Sequence, residues 1–286
     1  MTQREFVRET KQGAEQAAAG AARSPWVRTA ARLGYAAIGA VYILLGGLAL
    51  RVAAGPGGDA PDQQSALQQV LQAPFGRVLL GVIAVGLFGY LLWRIIEAVL
   101  DVRGKGGEPK GLATRAGYVG SGLAYGALGL TAARLALGMG GGGSGDGQRQ
   151  EWTARLMELP LGRWLVALAG LVVIGVGVYQ LYKGWSHKFR KDLLYGKMSE
   201  GERKLIDPVG VAGHTAHGVV LGLTGVFLVQ AALRYNPQEA QGLGGALDEL
   251  ARQPFGPWLL GLVALGLVAY GIYKLAEAKY HMVLGR

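Results

Sequence analysis

Six stretches of this chain carry no Asp, Glu, Lys or Arg: Leu33–Leu50, Val78–Trp93, Ala116–Ala133, Trp164–Tyr182, Pro208–Leu233 and Gln253–Tyr273. Each, with help from flanking residues, is long enough to cross roughly 30 Å of hydrocarbon as a helix. Arginines bound the shorter ones (Arg32 and Arg51, Arg77 and Arg94, Arg115 and Arg134), and their long stems carry the charge up to the headgroups. Burying six such helices in a soluble protein requires a large polar remainder. Only 17% of the 286 residues are charged, against about 25% in a soluble domain. The chain reads as a membrane protein.

The stretches repeat. Aligning Gly34, Gly117 and Gly213 brings Gly39, Gly122 and Gly218 together, and then Gly46, Gly129 and Gly225. Aligning Pro74, Pro160 and Pro254 superposes "PFGR", "PLGR" and "PFGP", and later Trp93, Tyr179 and Tyr273. The interval from glycine anchor to proline anchor is 40, 43 and 41 residues. Each copy is therefore a hairpin of span, connection, short helix and second span. In the connections, Leu67, Val70 and Leu71, then Trp152, Leu156 and Leu159, then Leu243, Leu247 and Leu250 recur at helical spacing. That spacing suits a short amphipathic helix lying in the outer interface. The proline ends this helix, and the glycine after it allows a sharp corner into the next span. The stretch "GMGGGGSGDG" (Gly138–Gly147) reads as a solvated flexible loop.

Forty-nine glycines are too many for soluble helices, where each costs about 1 kcal/mol relative to alanine. In a bilayer, small residues let helix backbones approach. The nine aligned glycines (Gly34, Gly39, Gly46, Gly117, Gly122, Gly129, Gly213, Gly218 and Gly225) are accordingly expected at helix contacts.

The expected organisation is a charged tail at 1–27 followed by repeats at 28–103, 111–190 and 207–283, two spans each, in one membrane domain. Residues 1–25 contain no apolar core of a secretory signal. All three copies enter the membrane in the same sense, and three parallel hairpins most simply give an all-α, six-helix bundle of pseudo-threefold symmetry. All ten lysines fall on the side of the termini, with 19 of the 29 Lys and Arg. The excess of basic residues places both termini in the cytoplasm of a bacterial inner membrane. The basic belt there, notably "KGWSHKFRK" (Lys183–Lys191), suits anionic lipid headgroups. Because that charge lies beside spans, nucleic acid is not an expected partner.

Three tandem glycine-rich two-helix units, with "RLGYAAIGAVYILLG" (Arg32–Gly46) opening the first and "PFG" the second half, resemble the bacterial membrane family DUF1206. The resemblance covers about residues 28–282. It implies the fold but no activity, cofactor or site residues. The third repeat departs from the other two, with His214 and Leu221 in place of tyrosines.

Ionisable groups inside a span mark function by default, and the spans offer little at depth beyond Tyr42, Tyr125, Thr224 and Tyr270. Charge gathers instead at the cytoplasmic ends of the even spans. Arg94, Gln180 and Lys274 align there, followed three residues on by Glu97, Lys183 and Glu277. Spacing of three lets Arg94 pair with Glu97 and Lys274 with Glu277. Together with Lys183 they form a polar collar, which either fixes helix depth or controls access to an axial cavity. All four histidines lie on the same side. His214 and His217 stand i, i+3 on the fifth span, while His187 and His281 align where the first copy has Asp101. Imidazoles one turn apart can grip a metal or haem, but no carboxylate or thiolate is spaced to complete the set, and the chain has no cysteine.

No phosphate-cradling loop, nucleophile elbow or zinc-protease motif is present. The expectation is a non-enzymatic, multi-pass protein without a cofactor, in a structural or accessory role with lipid or membrane-protein partners. The alternatives are a passive channel or transporter along the axis and, behind it, histidine-based metal or haem binding.

Overall fold

The computed structural model describes residues 20, 24–55, 60–102, 104, 106–140 and 145–280. Most of the expected tail and the centre of the glycine-rich loop lie outside them, as does His281. The described residues form helices and turns without a β-strand. The helices are α1 (Pro25–Ala54), α2 (Gln63–Leu71), α3 (Gly76–Val99), α4 (Pro109–Ala136), α5 (Gly145–Met157), α6 (Gly162–Trp185), α7 (Glu200–Arg234), α8 (Leu243–Arg252) and α9 (Gly256–Tyr280).

Five of these, α1, α3, α6, α7 and α9, are long and apolar enough to cross a membrane. The sixth long helix, α4, has 28 residues but is diluted by glycine, serine, threonine and tyrosine, and does not meet that level of apolarity. Local sequence sets the helix starts. Pro25 and Pro109 open α1 and α4, where a missing N–H costs nothing. Ser199 with Glu202 and Asp62 with Ser65 form capping boxes at α7 and α2.

The repeated corner has one geometry in all three copies, and it differs from the expected one. The left-handed backbone falls on the residue before the glycine: Phe75, Leu161 and Phe255 have φ of 58°, 62° and 63°. The glycine is required by close approach instead. A Cβ would stand 2.2 Å from the Val70 carbonyl oxygen on Gly76, 1.7 Å from that of Leu156 on Gly162, and 1.9 Å from that of Ala251 on Gly256. The strained side chain points outward in each case, 74–83% exposed.

The most extensive helix contacts join the second long helix of one repeat to the first of another: α3 with α4, α6 with α7, and α9 with α1. All three pairs share one antiparallel register. Gly39 meets Gly271, Gly218 meets Gly177, and Gly122 meets Leu91; one helical stretch further, Gly46 meets Ala264, Gly225 meets Gly170, and Gly129 meets Leu87 and Ala84. A Cβ on Gly39 would lie 2.8 Å from the Gly271 oxygen, and one on Gly218 would lie 2.8 Å from the Gly177 oxygen. Backbone thus touches backbone, the contact that small residues permit.

Within the hairpins the repeats differ. In the first, Gly34 packs on Tyr90 and Gly86; in the third, Gly213 packs on Tyr270. In the second, Gly117 has nothing within 4 Å of where its Cβ would be, and α4 barely touches α6. Gly117 is therefore not a packing glycine. The glycine opposite (Gly86, Gly266) is Val172 in the second copy, and the tyrosine opposite (Tyr90, Tyr270) is Val176.

The connection helices also depart from expectation. Rather than lying in the interface with their apolar sides on lipid, α2 and α8 turn Ala66, Leu67, Ala246 and Leu247 into the main core, all fully buried. Only α5 leaves Trp152 and Leu156 exposed. Carboxylates tie the three connections in a closed cycle. Asp62 accepts from Gly145 N–H (2.7 Å), Asp146 from Gly242 and Gly245 N–H (2.8 Å each), and Asp248 from Ala60 N–H (2.6 Å). Asp146 thereby satisfies backbone donors at the start of α8, where negative charge is favoured.

Candidate functional site

The core of the bundle contains a polar node to which every repeat contributes. Its centre is the Tyr42 hydroxyl on α1, with the residue 2% exposed. His217 Nε2 on α7 stands 2.8 Å from it, Tyr125 on α4 donates to it at 3.3 Å, and Gln63 at the start of α2 donates at 3.4 Å. The other ring nitrogen of His217 is 2.9 Å from the Gln180 amide on α6. A neutral imidazole, with one donor and one acceptor nitrogen, matches this pair of partners. The His217 ring lies parallel to Tyr270 at 4.2 Å, and Tyr42 meets Tyr270 edge-on at 4.9 Å.

Depth separates this node from the sequence reading. His217 aligns with Ser121 and Ile38, and Ser121 is itself bonded to Tyr90, at 3.0 Å. Polar residues at one aligned position in two copies were the signal for a polar layer inside the bundle. Truncating its centre tests the node. Tyr42→Phe leaves His217, Gln63 and Tyr125 without a shared oxygen, and the expected loss is about 2 kcal/mol, read as lowered thermal stability in detergent micelles. Trp152→Phe, at an exposed site, is expected to leave stability unchanged.

The collar residues sit beside this node and are paired; Glu97, Lys274 and Glu277 are buried, and Arg94 and Lys183 partly so. Arg94 donates to Glu97 at 2.7 Å and to the Tyr90 hydroxyl at 2.7 Å, and its guanidinium borders the Tyr90, Tyr118 and Tyr35 rings at 4.9, 5.1 and 5.9 Å. Lys274 donates to Glu277 at 2.7 Å and borders Tyr270, Tyr35 and Tyr273 at 5.2, 5.3 and 5.6 Å. The two cations occupy aligned positions and meet aligned tyrosines. Ring quadrupoles supplement each carboxylate in holding a charge away from water. Lys183, aligned with the two glutamates, pairs instead with Asp192 at 2.6 Å, a residue of the turn after α6. Arg94 and Lys274 thus border tyrosine rings, while Lys183 is held by a turn.

Among the described residues His187, His214 and His217 form no common cluster with acidic side chains. His214 is fully buried, its Nδ1 2.8 Å from the Gly210 carbonyl oxygen and its ring against Tyr273 at 4.6 Å and Phe189 at 5.4 Å. Its Nε2 has no hydrogen-bond partner among the described residues, whereas both nitrogens of His217 are engaged. His187 is exposed in the turn after α6. Among the described residues no three His, Asp or Glu side chains are grouped to hold a metal ion.

The family model described as Domain of Unknown Function (DUF1206) matches residues 33–101, 116–187 and 212–281. The uncharacterized protein YxxB of Bacillus subtilis (strain 168) is 38% identical over 259 residues, which span 90% of this chain and 93% of that protein. No solved structure matches.

Proposed function

The chain belongs to the DUF1206 family, and from its fold and polar core we propose that it is a non-catalytic structural or accessory protein of the bacterial cytoplasmic membrane. In this reading α4 joins the five apolar helices as a sixth span, the repeats are related by a pseudo-threefold axis, and both termini are cytoplasmic. One observation carries the role: the repeats converge on a hydrogen-bonded aromatic node. The Tyr42 hydroxyl gathers side chains from three other helices and its ring meets Tyr270 of a fourth, and α2 and α8 pack over the same core. Satisfied buried networks fix a single arrangement of their helices, which suits a rigid element that partners assemble on. The basic end supports anionic lipid or a membrane protein as those partners.

A second reading, passage along the axis, rests on the hydrogen-bonded series Tyr125, Tyr42, His217 and Gln180. Reconstitution separates the two. Liposomes holding the purified protein and a pH-sensitive dye are expected to dissipate imposed proton and potassium gradients no faster than empty ones. A faster leak that Tyr42→Phe abolishes overturns the accessory role in favour of passage.

A further inference from the structure

The second hairpin leaves a seam that the other two close. In the first hairpin, Gly34, Ala37 and Val41 of α1 are buried against Gly86, Gly89 and Tyr90 of α3. The aligned residues of the second hairpin are Gly117, Gly120 and Ala124 on α4, and Val172, Gly175 and Val176 on α6, and all six are exposed. Nothing lies within 4 Å of a Cβ built on Gly117, Gly120 or Gly175. The walls are apolar and, on α4, lack side chains larger than a methyl group at these positions.

The seam has a charged end. Lys110 stands in the first turn of α4, and Lys188 and Lys191 follow the end of α6. Their charges all bear on the Tyr182 phenol, to which Lys188 donates a hydrogen bond. No ion pair holds any of the three among the described residues. Of the acids nearby in sequence, Asp192 is committed to Lys183 and Asp101 accepts from Gly106 N–H, which leaves Glu108 against three cations. Tyr182 and, against it, Tyr179 on α6 are 50 and 55% exposed there, the aromatic lining typical of a headgroup boundary.

We infer that the seam between α4 and α6 is a cleft for one anionic phospholipid, its phosphate at Lys110, Lys188 and Lys191 and an acyl chain along Gly117, Gly120, Val172 and Val176. A second copy of the chain fits less well. Two copies in one membrane, packed seam to seam, bring these lysines against their own equivalents, whereas a phosphate neutralises them. The inference rests on the proposed reading of α4 as a span beside α6.

Native mass spectrometry of the full chain, delipidated in detergent and titrated with phosphatidylglycerol or phosphatidylcholine, tests it. One phosphatidylglycerol is expected to bind in preference to phosphatidylcholine. The variant Lys110→Gln/Lys188→Gln/Lys191→Gln is expected to weaken phosphatidylglycerol alone, by about tenfold or more. Val176→Trp, which fills the cleft from an exposed site, is expected to weaken both lipids, and Leu262→Trp, exposed on α9, neither. Equal binding of the two lipids, an unaltered lysine variant, or a dimer that Val176→Trp dissociates overturns the inference. Failure of the spanning reading shows separately. With no native cysteine, Gly120→Cys in membranes is expected to resist a water-soluble maleimide until the membrane is dissolved in denaturing detergent, because a thiol in hydrocarbon stays protonated. Labelling before the membrane is dissolved removes the membrane placement itself, whatever the lipid result.

Discussion

Gly271→Leu is expected to unfold the protein or cost it more than about 3 kcal/mol, while Gly117→Ala is expected to leave it as stable or slightly more so. The two glycines look alike in sequence, each one of 49 and each in a long helix. Their surroundings are opposite. A Cβ on Gly271 would stand 2.6 Å from the Gly39 carbonyl oxygen and 2.9 Å from the Ile43 nitrogen. Neither is the movable end of a side chain, so α9 and α1 must separate along their whole contact. Overpacking a core by a few methylenes already costs about 1–3 kcal/mol, and here the obstacle is backbone. Gly117 has open space around it, and an open helical position gains up to about 1 kcal/mol from alanine. Thermal unfolding in micelles, followed by tryptophan fluorescence and size-exclusion profile, distinguishes the signs. Equal losses at both positions contradict the packing described here.

Glu277→Ala is the second large effect, an expected loss of about 3–5 kcal/mol. Lys274 is 6% exposed and Glu277 2%, so removing the carboxylate takes the hydrogen-bonded counter-ion from an ammonium in the core. Removing both charges has a different outcome. Lys274→Met with Glu277→Leu keeps the volume and deletes two desolvated ions, and stability is expected to return to within about 1 kcal/mol of the parent or to exceed it. The surface pair Arg155–Glu151, with both side chains 62% exposed, supplies the contrast, since Glu151→Ala is expected to change stability by less than about 1 kcal/mol. A double variant no better than Glu277→Ala identifies the charges themselves, rather than their pairing, as the requirement.

Much of this fold was legible before any coordinates, because a repeat exposes its own constraints. The aligned glycines gave the number of hairpins, and the recurrent "PFG" gave a corner at each. Spacing of three gave the Arg94–Glu97 and Lys274–Glu277 pairs. Partner choice between helices was less visible. Gly34 and Gly39 are five residues apart, yet one faces its own hairpin and the other a different repeat, which periodicity alone does not separate. The open second hairpin was written in Val172 and Val176, but only as departures from Gly86 and Tyr90, and their meaning needs the knowledge that those two face α1. His217 was placed at an end rather than in the core because α7 begins well before its apolar stretch, at Glu200, so counting from charged residues misjudges depth. The burial of α2 and α8 escaped for a related reason: a short amphipathic helix reads alike whether its apolar side meets lipid or protein.

The contact between α9 and α1 has a consequence for the molecule's ancestry and its engineering. It matches the junctions of α3 with α4 and of α6 with α7, although the last helix there meets the first instead of a sequence neighbour. The three junctions between repeats therefore have no privileged starting point. A gene encoding one hairpin would carry both halves of the junction, and three copies of its product could close the same circle without any covalent link. By the same logic the present polypeptide can be joined tail to head and cut between α3 and α4, or between α6 and α7, to give a permuted chain with every junction retained.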